Sequence, residues 1–154
     1  MLRLSKLTDY GTVVMAHLAR HPDRLHSAAE VAAEVGVGLP TASKILKMLA
    51  QANLVQSARG AKGGYVLARS ATQISVAEVI DAMEGPVGLT ECSVLSGLCA
   101  QEKSCSIRGN WQRINQVIRR ALTQMTLEEM AQPRFHPIFI EARRPHEHAP
   151  ASSA

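Results

Sequence analysis

The sequence predicts a mainly α-helical fold with one small β-hairpin, on three observations. Apolar residues recur at three- and four-residue spacing over several segments, the period of an amphipathic helix. Start and stop signals bracket those segments: Ser27 to Glu30 and Ser75 to Glu78 have capping-box spacing, with Gly36 and Gly85 beyond them as stops. One stretch alone, Leu54–Ala68, reads as two short strands around a glycine-rich tip.

Taken in order, Thr8 is the expected cap of a first helix whose apolar positions are Val13, Val14, Ala16, Leu18 and Ala19. Residues 20–26 form a polar loop. Ser27 opens a short helix that ends near Val35, with Gly36 as its left-handed stop. Pro40 suits the first turn of the next helix, where a missing N–H costs nothing. That helix runs to about Ala52, and Asn53 takes the terminating left-handed conformation. A helix, a tight glycine-containing turn and a second helix make a helix-turn-helix. Strands over Leu54–Ala58 and Tyr65–Ala68 then flank Arg59-Gly60-Ala61-Lys62-Gly63-Gly64, a basic hairpin tip whose glycines supply positive φ. Two helices followed by a basic hairpin predict a winged helix-turn-helix.

Ser75 opens a further helix ending at Gly85-Pro86. Residues 87–105 form a loop that holds all three cysteines. A long C-terminal helix starts near Ser106, with Trp111, Ile114, Val117, Ile118 and Leu122 as its apolar stripe. Thr126 to Glu129 marks a last short helical turn. From Gln132 the chain is rich in Pro, His, Arg and Ser without periodicity, and a disordered tail is expected there. There is no internal repeat.

At 154 residues and 46% hydrophobic content, the chain is long enough for one domain with a modest core. No apolar run approaches the roughly 18 residues of a membrane span. The N-terminal residues lack a signal-peptide core, so a cytoplasmic protein is expected. Aromatics, at 3%, are too few for the stacking platforms of single-strand binders. The net charge of +4 is uneven: residues 1–70 carry nine Lys/Arg against four Asp/Glu, and the remainder eight against nine. The whole surplus lies in the winged-helix half, as expected where a protein meets a polyanion.

On the helix from Pro40, the residues Ala42, Ile45, Leu46 and Leu49 face inward. Pro40, Thr41, Ser43, Lys44 and Lys47 face mainly outward. Short hydroxyl side chains near the N-terminus reach base edges, and lysines take phosphates. Arg59 and Lys62 at the wing tip suit the backbone or minor groove. An ordinary surface helix would also carry solvated lysines; the full order from capping box to wing is what favours double-stranded DNA as the partner.

The cysteines are spaced Cys92-x6-Cys99-x5-Cys105. An odd number of cysteines argues against a closed disulfide framework. Thiolates are soft ligands for iron–sulfur clusters, zinc or copper(I). Zinc usually shows paired C-x2-4-C knuckles, which are absent. A cluster normally takes four protein ligands, and the loop offers three. Spacing leaves a metal site and three unligated, redox-active thiols equally open. No nucleophile–base pair or phosphate-binding loop is present, so no enzyme is expected. His21 and His26 beside a loop, and His136, His146 and His148 in the tail, suggest no site.

The sequence resembles the Rrf-type family of winged-helix regulators, which includes IscR-like and NsrR-like members. The likeness is carried by Leu4-Ser-Lys-Leu-Thr-Asp-Tyr10, Leu54-Val55, Arg59-Gly60-x-x-Gly63-Gly64-Tyr65, Val76-x-Glu78-Val79-Ile80 and the cysteines ahead of Trp111, and covers about residues 1–131. The opening residues and Leu39-Pro-Thr-Ala-Ser-Lys44 look most like regulators of the SUF cluster-assembly operon. The resemblance implies a homodimer paired through the long helix, with Cys92, Cys99 and Cys105 as iron–sulfur ligands. A 2Fe–2S cluster is favoured over a 4Fe–4S one. Three regions follow: 1–70 for DNA binding, 71–131 for the cluster loop and dimerisation helix, and 132–154 as the tail.

One position departs from the family. IscR-like members carry a histidine three residues after the third cysteine, where this chain has Arg108. A guanidinium stays protonated and is no ordinary ligand. In NsrR-like members an acidic residue of the N-terminal motif reaches across the dimer, and here that residue is Asp9. Glu91, Glu102 and His17 are further candidates; without a ligand role, Asp9 is a first-turn carboxylate suited to the helix dipole. The function expected is an iron–sulfur-dependent transcription regulator of cluster assembly, reading a palindromic operator as a dimer. A cluster-free thiol switch and a small iron–sulfur electron carrier are the rivals.

Overall fold

The computed structural model describes residues 3–60, 62–94 and 97–132. The expected tail, with His136, His146 and His148, lies outside the described residues. The elements run α1 (Lys6–Arg20), α2 (Ala28–Val35), α3 (Leu39–Gln51), β1 (Val55–Ala58), β2 (Gly64–Leu67), α4 (Val76–Glu84), α5 (Glu91–Val94), α6 (Arg108–Gln124) and α7 (Leu127–Ala131), with a single 3-10 turn at Ala71–Gln73 before α4.

Local signals account for most boundaries. Ser75 and Glu78 form a complete capping box at α4, and Thr126 and Glu129 another at α7. Ser27 accepts the Glu30 N–H at α2, while the Glu30 carboxylate pairs with Arg24. Gly36 and Asn53 both take left-handed conformations that end their helices.

Three expectations change. The cap of α1 is Ser5, whose hydroxyl accepts the Thr8 N–H at 3.2 Å. Thr8 lies inside the first turn, fully buried, and spends its hydroxyl on Glu84. The cysteine loop contains the short helix α5, and α6 begins at Arg108 rather than near Ser106.

One core joins both halves of the chain. Met15 and Leu18 of α1, Ile45 and Leu49 of α3, Val79 of α4 and Leu127 of α7 are all buried in it. Burying each such side chain contributes about 1.5–3 kcal/mol, and that sum positions α3 and the wing.

The hairpin pairs Val55 with Leu67 through Ala58 with Gly64. A two-stranded ribbon is marginal alone. Here His26 N–H donates to Tyr65 O at 2.9 Å and Tyr65 N–H to His26 O at 2.8 Å, tying β2 to the loop before α2. Gly64 makes this possible, since a Cβ there would stand 2.6 Å from the His26 carbonyl oxygen. Among the described residues no helix is long and apolar enough to cross a membrane.

Candidate DNA-binding surface and cysteine loop

The pattern of α3 separates its faces. Ala42, Ile45, Leu46 and Leu49 are buried, whereas Pro40, Lys44 and Lys47 are exposed and Thr41 and Ser43 half-exposed. The helix contains no acidic residue, so the lysine charge on its outer face is not offset locally. Its N-cap is Gly38, which offers no side-chain cap; the first N–H groups therefore remain suited to a phosphate. Arg59 and Lys62 are exposed at the wing tip, where Gly60 has φ 113°. The residues expected to meet DNA thus lie on two outward features that pack together, α3 and the hairpin.

The cysteine loop is fastened at its entry. Asn115 of α6 accepts the Leu89 N–H through Oδ1 and donates through Nδ2 to the Val87 carbonyl, both at 3.2 Å. It is the buried residue of α6, and it faces the body of the protein. Val87 N–H also donates to Asp81 Oδ1 at 3.3 Å. Asp81 in turn receives both Arg119 amines, at 3.2 and 2.7 Å, and this pairing raises the Arg119 pKa.

Beyond the anchor, the Thr90 hydroxyl lies 3.3 Å from Cys92 Sγ and 2.7 Å from the Ser93 hydroxyl. Cys92, Cys99 and Cys105 are each half-buried and free of disulfide bonds. Glu102 accepts the Gly97 N–H and pairs with Arg108 at 2.5 Å. Its carboxylate is thereby engaged inside the loop, which weakens it as a ligand. Among the described residues no set of three His, Cys, Asp or Glu side chains is gathered closely enough to hold a metal ion. The donor set fits an iron–sulfur cluster in kind, with three thiols in one loop, but these thiols would have to converge to bind one.

Asp9 is exposed on the first turn of α1. Ser5 N–H and the Thr8 hydroxyl both donate to Glu84 Oε1 at 2.6 Å, so this turn lies against the end of α4, from which the cysteine loop departs. The Ser5 and Thr8 bonds hold the Glu84 carboxyl below the usual range. His17 is elsewhere: it is buried with His26 and beside His21, with ring centroids 5.0, 5.4 and 6.0 Å apart. Burial first, then the neighbouring His26 and His21, lower its pKa.

Outside this chain, the profile of the Rrf2 family, described as "Iron-dependent Transcriptional regulator", matches residues 4–133. The chain belongs to the Rrf2 family. It is 28% identical over 130 residues to Protein rrf2 of Nitratidesulfovibrio vulgaris (strain Hildenborough), covering 84% of this chain and 87% of that protein. Its structure is similar to CymR (YrzC), the global cysteine regulator of B. subtilis, with TM-score 0.68 and 31% identity over 85% of this chain and 97% of that one. It is also similar to T. potens IscR, with TM-score 0.65 and 28% identity over 84% and 85% of the two chains. This Rrf2 protein is accordingly a winged-helix transcription regulator that binds DNA, and not an enzyme.

Sequence reasoning missed two features of this Rrf2 protein. Asn115 sits between Ile114 and Val117 and was obscured by the apolar stripe; a polar residue adjoining such a stripe was the available signal. The histidine cluster joins the end of α1 to the loop that follows, and only His17 and His21, four residues apart, could have suggested it.

Proposed function

We propose that this Rrf2 regulator is a homodimer that binds a palindromic operator and is controlled by an iron–sulfur cluster on Cys92, Cys99 and Cys105. The observation that carries the reading is the placement of three half-buried thiols in a loop fastened to α6, a helix with an unpaired apolar face. Ile107, Trp111, Ile114 and Val117 are 37–53% exposed, a stripe suited to a second copy of the same helix. A two-fold dimer would present two α3 helices to successive major-groove half-sites.

In that reading Pro40, Thr41 and Ser43 approach base edges, and Lys44, Lys47, Arg59 and Lys62 take phosphates. The region 1–70 is the reader, and 71–131 the sensor and dimer element. Asp9, exposed on the first turn of α1, is the fourth ligand, supplied across the dimer. A bound cluster, of the 2Fe–2S type by preference, supplies an oxidant-sensitive cross-link among the loop thiolates. The likeness of Leu39–Lys44 and the opening residues to SUF-operon regulators supports cluster-assembly genes as the target, which gives feedback on supply.

A second reading has its own support. The thiols are free and not gathered, and one similar structure is that of a cysteine regulator. In this case the thiols themselves form the switch and no iron is held. Anaerobic purification with iron and acid-labile sulfide counting decides between the two. Stoichiometric iron and sulfide, lost in Cys92→Ser, Cys99→Ser and Cys105→Ser, supports the cluster; a wild-type protein without either supports the thiol switch.

A further inference from the structure

We propose that Asn115 is the positioning residue that couples the state of the cysteine loop to α6, and so to the spacing of the two DNA-reading helices. The inference rests on the loop-controlled regulator described above and names how that control leaves the loop.

Three observations converge on this side chain. Asn115 is 6% exposed, whereas the apolar residues Ile114 and Val117 beside it are 45% and 47% exposed. An amide in the inward position of a helix with an outward apolar stripe is costly to bury unless both its ends are satisfied. Both are, and by one short segment: the Val87 carbonyl and the Leu89 N–H. The geometry is a clamp on two alternate backbone positions, so the segment cannot shift along α6 without losing both bonds together.

The clamp stands directly before the first thiol. Leu89 is followed by Thr90, whose hydroxyl contacts Cys92 Sγ. Any movement of Cys92 toward the other two thiols pulls on Thr90 and then on Leu89. On the opposite side, Asp81 of α4 holds Val87 N–H and the Arg119 guanidinium, one helical turn beyond Asn115. Val87 is therefore gripped by α4 and α6 at once. A displaced loop has two outcomes: it breaks these bonds, or it moves α6 relative to α4. Since α4 packs on α1 and α3, the second outcome changes how α6 presents its apolar face relative to α3.

Energetic coupling between sites is carried by elements with two discrete arrangements, and a paired clamp of this kind is either made or broken. Coupling is also reciprocal, so operator binding must act back on the loop.

The test uses the full-length protein, metal-free and after reconstitution with iron and sulfide, with operator affinity measured for both. In wild type the two affinities are expected to differ by about ten-fold, within the usual range for a coupled pair of sites. Asn115→Leu keeps the branched shape of the side chain and removes both hydrogen bonds. It is expected to load the same iron and bind the operator within about two-fold of metal-free wild type, while the ratio between the two states falls toward unity. An Asn115→Leu protein with a wild-type ratio overturns the relay and leaves the regulator reading intact. A wild type with a ratio of unity overturns both. A second measurement needs no variant: hydrogen exchange of the Leu89 amide in wild type. Its protection is expected to change on reconstitution and again on operator binding; protection unchanged by either overturns the proposal.

Discussion

Thr8 donates its hydroxyl to Glu84 at 2.6 Å across 76 positions of sequence, joining the first turn of α1 to the last residue of α4. Thr8 is fully buried, and the same Glu84 oxygen accepts the Ser5 N–H, so one carboxylate satisfies both groups. Truncating it removes a charged acceptor and leaves the buried hydroxyl with the Ser5 hydroxyl, 3.0 Å away, at a cost of about 1 kcal/mol for the lost bond. Glu84→Ala is expected to lower the unfolding midpoint and to speed amide exchange in the first turn of α1 ahead of the rest of that helix. Uniform exchange along α1 would show that the contact contributes nothing local.

Operator binding should depend on α3 charge. Lys44→Ala is expected to weaken binding to operator and non-operator duplex alike and to reduce the slope of log K against log salt by about 1, because a phosphate contact is lost. Thr41→Ala should instead narrow the gap between operator and non-operator affinity. Salt titrations of both variants read the difference.

His17 makes stability depend on pH. Burial first, and then His26, His21 and Arg20, push its pKa below 6.5, against an opposing pull from Glu34. The folded protein therefore holds His17 neutral where the unfolded chain has begun to take up a proton. The unfolded state binds more protons in that window, so stability is lost as pH falls from 6.5 toward the folded pKa and is intact above it. Urea unfolding of wild type across that window should show the decline, and His17→Leu should flatten it. Equal slopes in both proteins would assign the decline to other groups.

Much of this fold was legible because its signals are local. The Ser75–Glu78 and Thr126–Glu129 boxes, the left-handed Gly36 and Asn53, and the inward residues of α3 each depend on neighbours within a turn or two. The cap of α1 was misplaced for the complementary reason. Ser5 and Thr8 are both good caps, and the choice is settled by Glu84, far away in sequence, which claims the Thr8 hydroxyl. Asn115 was hidden in the same way, since its partners Val87 and Leu89 lie more than twenty positions earlier. Four-residue α5 has too few residues to show any period. In the candidate site the thiols were visible as residue types, whereas the pairing of Glu102 with Arg108 needed the folded loop.

Asp9 offers a separate test of the fourth ligand. Metal-free Asp9→Ala is expected to bind operator as metal-free wild type does, whereas reconstituted Asp9→Ala is expected to lose its cluster faster under air, because a three-thiolate site lacks a closing ligand. Iron content and cluster lifetime equal to those of wild type would remove Asp9 from the site.

The proposed switch is control of operator affinity by the loop's cargo. Footprinting the same anaerobically purified protein before and after cluster removal, with iron and sulfide counted on each sample, tests it most directly. Protection of the operator should differ between the two samples in step with their iron content, and the difference should vanish in Cys92→Ser. A wild-type footprint that is the same with and without iron, or a protein that regulates normally and never holds iron or sulfide, would contradict it.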